Sequence, residues 1–187
     1  ESPYLYKLLL TITADGKTTY KSIRFGFKKV EIIGDKLLFN GKQMMLRGVN
    51  RHDFDPDYGW AVPKERYHQD LNLMKNANIN SIRTSHYPDD PYFYDLCDEY
   101  GFYVMDECDL ETHGVRRKGV PGDNPVWTDA VVDRMERMVL RDRNHPSVIL
   151  WGVRVNEGLD CDEFYTETNR VARELDNTRQ TGGVRNM

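Results

Sequence analysis

Short apolar segments that alternate with amphipathic helices are the strongest constraint on the fold of this chain. After residue 42, apolar side chains recur at helical spacing in several stretches, and short apolar segments separate these stretches. Such alternation is typical of βαβ units, which build a parallel sheet. The predicted strands are residues 44–49, 79–82, 102–105 and 148–151, and the predicted helices are residues 64–76, 92–100, 129–141 and 164–175.

Two α/β architectures explain four such units. A nucleotide-binding doubly wound sheet carries a glycine-rich phosphate loop directly after its first strand, and no such loop follows residue 49. This argues against nucleotide binding. Half of an eight-stranded barrel explains the count of units equally well, so the periodicity alone leaves both architectures open.

The first 40 residues follow a different pattern. Residues 4–13 and 18–27 are rich in β-branched, aromatic and leucine side chains, and Asp15-Gly16 between them is a turn signal. A lone hairpin is marginally stable in water, so this hairpin is expected to complete a sandwich with other strands. A second small hairpin is predicted over residues 30–39, with Gly34-Asp35 at its turn.

Composition excludes several functional classes. A net charge of −4 argues against a nucleic-acid partner, and no apolar run reaches the roughly 20 residues of a membrane span. Three widely spaced cysteines fit neither a disulfide framework nor a zinc site. The start, Glu1-Ser2-Pro3-Tyr4, has no signal-peptide character. We expect a piece of a longer protein, whose localisation, cytoplasmic or periplasmic, the sequence does not determine.

Ionisable residues follow each predicted strand at once. In a barrel the carboxyl ends of the strands converge on one rim, where catalytic residues lie. A single histidine after a strand is more often structural, but four such strand ends in succession favour a functional site. The residues concerned are Asn50-Arg51-His52-Asp53, Arg83-Thr84-Ser85-His86, Asp106-Glu107 with Glu111 and His113, and Asn156-Glu157.

These strand ends also carry a family resemblance that spans most of the chain. Together they resemble the barrel motifs of glycoside hydrolase family 2, in its β-galactosidase form. The resemblance implies the first half of a (β/α)8 TIM barrel over residues 30–187, preceded over residues 1–29 by the last strands of an immunoglobulin-like β-sandwich. The matching motifs are Asn40-Gly41-Lys42, residues 47–52, residues 83–88, Glu111-Thr112-His113-Gly114, residues 141–147, and Trp151 followed by Asn156-Glu157.

The resemblance assigns roles to individual residues. Glu157 matches the acid/base glutamate of a retaining glycosidase, which protonates the leaving group and later activates water. Asn156 matches the residue that hydrogen-bonds the sugar 2-hydroxyl, with an Asx-type turn as its structural alternative. His52 and His86 match sugar-contacting histidines, and structural packing is the alternative for both. Arg83 is expected to order catalytic carboxylates through its planar guanidinium.

A magnesium site is the one cofactor that the resemblance implies. Glu111, His113 and Glu157 match its ligands, and magnesium prefers oxygen donors. A plain hydrogen-bonded pair between Glu111 and His113 is the alternative that the residues leave open.

The resemblance also sets the expected function and its alternatives. It implies hydrolysis of terminal β-D-galactosides, with a β-glucuronidase or β-mannosidase as alternative enzymes and a sugar-binding or assembly module as the non-enzymatic alternative. The family's nucleophile is expected beyond Met187, so the chain alone is expected to be inactive. One departure from the motif is an extra residue between Trp151 and Asn156, for which a bulge or longer loop is expected.

An open half-barrel leads to a further expectation about assembly. The inner faces of its strands would lack partners, and exposed apolar patches commonly mark interfaces. We therefore expect a homo-oligomer, with partly exposed side chains at Met44, Leu46, Val104, Ile149 and Trp151.

Overall fold

The computed structural model describes residues 2–112, 121 and 124–184. In this part of the chain, ten strands precede or alternate with four α-helices. The strands are β1 Tyr6–Ala14, β2 Lys17–Phe25, β3 Val30–Ile33, β4 Lys36–Phe39, β5 Lys42–Gln43, β6 Gly48–Arg51, β7 Ser81–Thr84, β8 Tyr103–Glu107, β9 Val148–Gly152 and β10 Gln180–Gly182. The helices are α1 Lys64–Asn76, α2 Pro91–Tyr100, α3 Thr128–Asp142 and α4 Asp162–Leu175, and a 3-10 turn at Pro125–Trp127 leads into α3.

The parallel sheet decides between the two architectures. Its strands within the described residues lie in the order β6, β7, β8, β9, β10, which is also their order in the chain, and each neighbouring pair is parallel. A doubly wound sheet reverses its strand order at a switch point, whereas a barrel adds each strand beside the last. The arrangement is that of a partial TIM barrel, as expected, and β10 supplies a fifth strand that the sequence pattern did not indicate.

The main core lies between the sheet and its helices. Buried side chains from the strands, such as Val104 and Trp151, join buried side chains of all four described helices, such as Phe93 and Phe164. The indole Nε1 of Trp151 donates to Asp176 Oδ2 at 3.1 Å, which satisfies the one polar atom of that ring.

The expectation of exposed inner-face side chains is partly wrong. Val104, Ile149 and Trp151 are fully buried, whereas Leu46 is exposed and Met44 is of intermediate exposure. Successive side chains of a strand point to opposite faces, so Val104 and Trp151 point into the helix layer rather than the barrel interior. A cavity of about 270 Å³ on the sheet, lined by Leu46, Val49, Ile149 and Leu150 among others, shows where the barrel interior lies.

Two antiparallel sheets precede the barrel strands. β1 and β2 pair from Tyr6 opposite Phe25 to Ala14 opposite Lys17, as the first predicted hairpin requires. The second predicted hairpin is confirmed as β3 and β4, and β5 extends it to three strands. Phe39 of β4 packs against Tyr103 at the start of β8, with ring centroids 5.0 Å apart. The three-stranded sheet therefore lies at the amino end of the barrel strands, opposite the rim that carries the site. The domain boundary at residues 29 and 30 stays a prediction.

Within the described residues, no helix is long and apolar enough to cross a membrane.

Lys28 lies between β2 and β3, and its side chain binds backbone groups of the barrel. Its ammonium nitrogen donates to the carbonyl oxygens of His145, at 2.9 Å, and of Val148. Arg179 binds the same two carbonyl groups, so two cationic side chains lie close together. Burial, reinforced by the Arg179 charge, lowers the pKa of Lys28 to about 6. A neutral amine keeps two N–H donors, which is the number that the two carbonyl groups accept.

This pKa predicts how stability depends on pH. An ordinary lysine has a pKa of about 10.4, so between pH 6 and 10 the unfolded chain binds more protons at Lys28 than the folded chain. The free energy of unfolding should therefore rise with pH across this window, by up to about 1.4 kcal/mol per pH unit from this group. Lys28→Met should remove that contribution, as measured by denaturant unfolding at a series of pH values.

The neighbouring Lys29 is the matched control, because its side chain is exposed and pairs with Glu31 at the surface. Lys29→Met should keep the slope of the unmodified protein. An unchanged slope in Lys28→Met would show that Lys28 keeps its proton in the folded state.

Candidate active site

A buried ion pair between β7 and β8 forms the centre of the candidate site. Arg83 Nε donates to Glu107 Oε1 at 2.6 Å, and Arg83 Nη2 donates to Glu107 Oε2 at 2.9 Å. This is the bidentate geometry that suits a guanidinium and a carboxylate. Glu107 is only 3% exposed, so its charge depends on partners rather than on water.

Asn156 and His86 complete the hydrogen bonding around this pair. Arg83 Nη2 also donates to Asn156 Oδ1 at 2.7 Å, so both of its hydrogens are engaged. His86 Nδ1 lies 2.9 Å from Glu107 Oε2 and 3.1 Å from Arg83 Nη2. Because Arg83 Nη2 has no hydrogen left and a carboxylate only accepts, His86 Nδ1 carries the hydrogen and donates to Glu107. This contact fixes the tautomer and the direction of the ring.

Glu111 lies on the outer side of the same network. Its Oε2 accepts from Asn156 Nδ2 at 2.8 Å, and its Oε1 accepts from the Thr112 backbone N–H at 2.7 Å. His86 Nε2 lies 3.4 Å from Glu111 Oε2. Asn156 therefore accepts from a cation on one side and donates to an anion on the other, which determines the orientation of its amide group.

Backbone contacts hold the two loops that supply Glu111 and Asn156 side by side. The two residues form an isolated parallel bridge, in which Asn156 N donates to Leu110 O at 2.8 Å. The hydroxyl of Thr112 donates to Asn156 O at 3.1 Å, and Thr112 is buried. The loop after β8 is thus pinned to the loop after β9.

Glu157 occupies a tight turn directly after Asn156. Gly158 N donates to Val155 O at 3.1 Å, which closes the turn around Asn156 and Glu157. Glu157 has a φ of 53°, in the left-handed region that costs a non-glycine residue about 1 kcal/mol or more. Residues 153–155 connect β9 to this turn, so the extra residue noted in the sequence lies in the connection after the strand.

His52 directly follows β6, and its ring contacts the rings of His86 and Tyr87. Its ring lies 5.6 Å from that of His86, nearly perpendicular to it, and its Nδ1 is 3.3 Å from the Tyr87 hydroxyl. The Tyr87 hydroxyl also accepts from Asp53 N at 3.1 Å, which fixes its position. The exposed His52 therefore stands at the open side of the site, where a ligand would reach it.

Asp106, which precedes Glu107 in β8, is a second buried carboxyl group. Asp106 is fully buried, and its Oδ1 accepts from the Tyr94 hydroxyl at 2.6 Å. Burial, with the nearby Asp142 charge, raises the pKa of Asp106 well above its usual range. Within the described residues, Asp106 Oδ2 has no hydrogen-bond partner, and a proton on this atom would let it donate to Asp142.

The structure brings together most of the residues that the sequence indicated. Arg83, His86, Glu111 and Asn156 contact one another directly or through Glu107, and Glu157 follows Asn156 in the chain. His113 lies outside the described residues. Arg83 is expected to order catalytic carboxylates, and the carboxylate that it binds among the described residues is that of Glu107. The sequence places Arg83 and Glu107 near the ends of neighbouring strands, but other carboxylates follow these strands too, so it does not single out this pairing.

The donor set at the rim fits the chemistry of magnesium. Glu111 is partly exposed, with its Oε1 bound to the Thr112 N–H and its Oε2 to Asn156 Nδ2, and carboxylate oxygens are the ligands that magnesium prefers. Glu111 and Glu157 would supply oxygen ligands, with water filling the remaining positions.

Comparison with known proteins identifies the family. The description "Glycosyl hydrolases family 2, TIM barrel domain" matches residues 30–186. The chain therefore belongs to glycosyl hydrolase family 2, and the matched segment is part of its TIM-barrel domain.

Curated relatives agree with this assignment. The chain is 47% identical to a β-galactosidase of Arthrobacter sp. (strain B7), over 84% of this chain and 16% of that protein. It is 44% identical to a β-galactosidase of Priestia megaterium, over 96% of this chain and 18% of that protein. The chain thus spans less than a fifth of the length of these relatives.

Solved structures of similar fold are β-glucuronidases. The enzyme of Dictyoglomus thermophilum superimposes with a TM-score of 0.89 at 27% identity, over 96% of this chain and 32% of that one. A Ruminococcus gnavus β-glucuronidase in complex with D-glucuronic acid gives a TM-score of 0.84 at 30% identity, over 96% and 31% of the two chains.

Because Glu107 is buried in its ion pair with Arg83, we expect an isosteric change at Glu107 to lower the free energy of unfolding strongly. Glu107→Gln removes the negative charge that Arg83 and His86 share, and it leaves a buried guanidinium with weaker acceptors. Breaking a buried pair typically costs about 3–5 kcal/mol. We expect a loss of this size in the free energy of unfolding.

Glu99→Gln provides the control, since Glu99 pairs with Arg24 at the surface and both side chains are more than a third exposed. Exposed pairs contribute about 0–1 kcal/mol. Equal losses in the two variants would mean that Glu107 contributes no more than a surface charge.

Proposed function

We propose that this protein is a retaining β-galactosidase, or part of one, in which Glu157 acts as the acid/base. The observation that carries the proposal is the linked network of Arg83, Glu107, His86, Asn156 and Glu111 at the carboxyl ends of barrel strands. This rim is where TIM-barrel enzymes place their catalytic groups. The curated relatives named β-galactosidase support the choice of sugar.

Each described residue has a distinct task in this proposal. Glu157 donates a proton to the glycosidic oxygen as the bond breaks and later takes a proton from water. Asn156 holds its amide group in a fixed direction, and one Nδ2 hydrogen remains for the sugar 2-hydroxyl after the other is donated to Glu111. His52 and His86 bind ring hydroxyls. The expectations of a nucleophile beyond Met187, of an inactive isolated chain and of a homo-oligomer stay predictions.

A β-glucuronidase is the second candidate, because the similar solved structures have that activity in their names. A glucuronide carries a carboxylate, which requires a cationic partner in the site. Arg83 is the cation at the centre of the described network, and its Nε and Nη2 hydrogens are already engaged by Glu107 and Asn156. This arrangement favours a neutral sugar such as galactose.

Replacement of the proposed acid/base tests the mechanism. In the whole protein, Glu157→Gln should lower kcat/KM by about 10²–10⁴-fold for β-galactosides with poor leaving groups, because proton donation is lost. The loss should shrink for activated aryl galactosides, whose leaving groups need little protonation. Glu174→Gln, an exposed change on α4, should leave both rates unchanged. A loss independent of the leaving group would contradict the assignment.

The proposed magnesium site has its own test. Chelation should lower activity on β-galactosides and added magnesium should restore it, and titration calorimetry should detect magnesium binding to the metal-free protein. Glu111→Gln should weaken that binding, because it exchanges a charged oxygen ligand for a neutral one. Undiminished magnesium binding in Glu111→Gln would remove Glu111 from the ligand set.

A further inference from the structure

Tyr87 follows β7 and places its hydroxyl group beside His52. The hydroxyl oxygen accepts from the backbone N–H of Asp53 at 3.1 Å and lies 3.3 Å from His52 Nδ1. The Tyr87 ring packs against Trp60 with centroids 5.3 Å apart and against His52 with centroids 6.0 Å apart. The hydroxyl group therefore has a defined position next to an exposed histidine of the candidate site.

Asp53 is held firmly, so its backbone N–H has a fixed direction. Its Oδ1 accepts from Arg51 Nη1 at 3.0 Å. Its Oδ2 accepts from the Tyr67 hydroxyl at 3.0 Å and from the Asp90 backbone N–H at 3.3 Å. These three contacts fix the loop after β6, and with it the N–H group whose hydrogen bond Tyr87 accepts.

The hydrogen atoms in this arrangement can be assigned from the bonds that each group is able to make. A phenol has one hydrogen to donate, and among the described residues His52 Nδ1 is the acceptor within reach of the Tyr87 hydroxyl. In the reverse arrangement the Tyr87 oxygen would accept from both Asp53 and His52, and its own hydrogen would have no partner there. Such an unpaired donor costs free energy in a partly buried group.

The environment also keeps the hydrogen on the phenol. Burial, with the charges of Asp89 and Asp53 nearby, raises the pKa of Tyr87 to about 12. Tyr87 is therefore a donor at neutral pH, and the nitrogen that faces it is an acceptor.

The consequence lies at the other ring nitrogen of His52. A neutral imidazole has one donor and one acceptor nitrogen, so acceptance at Nδ1 places the hydrogen on Nε2. His52 is exposed, and Nε2 makes no hydrogen bond to the residues that the structure describes. A ligand at the site would meet a donor at His52 and would have to offer an acceptor, such as an oxygen atom.

We propose that Tyr87 is a positioning residue whose hydroxyl group holds His52 in the Nε2–H tautomer and so makes His52 a donor that selects for a ligand oxygen. The inference deepens the proposed function and rests on it for the choice of galactosides as substrates. The assignment of the tautomer concerns the free protein, so it can be measured without catalysis.

Nitrogen NMR of the histidine rings in the unliganded whole protein tests the tautomer, because protonated and unprotonated ring nitrogens resonate far apart. With His52 neutral and its signals assigned from their loss in His52→Ala, we expect the hydrogen on Nε2. Tyr87→Phe keeps the ring against Trp60 and removes the hydroxyl, so the Nδ1 signal should shift to that of a nitrogen without a hydrogen bond. Tyr67→Phe is the matched control, because the Tyr67 hydroxyl binds the Asp53 carboxylate, and it should leave the His52 signals unchanged. A hydrogen on Nδ1 in the unmodified protein would overturn the inference.

A double-mutant cycle on β-galactoside hydrolysis tests the effect on the site. Tyr87→Phe should lower kcat/KM by about threefold to tenfold, as expected for the loss of one ordinary hydrogen bond. In a His52→Ala background the same change should have no further effect, because Tyr87 acts through His52. Equal losses in the two backgrounds would show a merely structural role and would also overturn the inference. If Glu157→Gln leaves hydrolysis unchanged while the His52 signals behave as expected, the proposed function fails and the tautomer assignment stands.

Discussion

A guanidinium withdrawn from water at the end of a barrel strand needs a carboxylate partner, because the protein interior solvates its charge poorly. This requirement is met twice on neighbouring strands. Arg83 at β7 pairs with Glu107, and Arg51 at β6 pairs with Asp53, Asp70 and Asp89. Each arginine joins loops that are distant in the chain, so the rim is held together by these ion pairs and depends on them for its geometry.

The two faces of the sheet have different roles, because successive side chains of a strand point to opposite faces. Side chains that point outward, such as Trp151, meet the helices and stabilise the fold, while residues at and just after the carboxyl ends of the strands form the candidate site. The loops after β8 and β9 are joined by Thr112 and Asn156. Packing against the helices and the candidate site thus involve different residues of the same short segments.

Much of this arrangement could be predicted from the sequence. Helical and strand periodicity indicated the order of elements, and the strand ends indicated His86, Arg83, Glu111 and Asn156 as candidate site residues, which the structure places in one network. Three features could not be predicted. The inward or outward direction of Val104 and Trp151 depends on the register of the sheet, and β10 is too short to show a pattern. The partner of Arg83 became clear only when the distance to Glu107 was known, because several carboxylates follow the strands.

The amino-terminal ribbon of β1 and β2 has a consequence for handling the protein. One of its faces carries Tyr6, Leu8, Leu10 and Ile12 with Ile23 opposite, and these side chains are exposed in the described residues. A two-stranded apolar ribbon offers unpaired backbone groups along its edges and invites strand addition by other molecules. Charged side chains placed along the edges of this ribbon would therefore oppose strand addition, at positions that are remote from the residues of the candidate site.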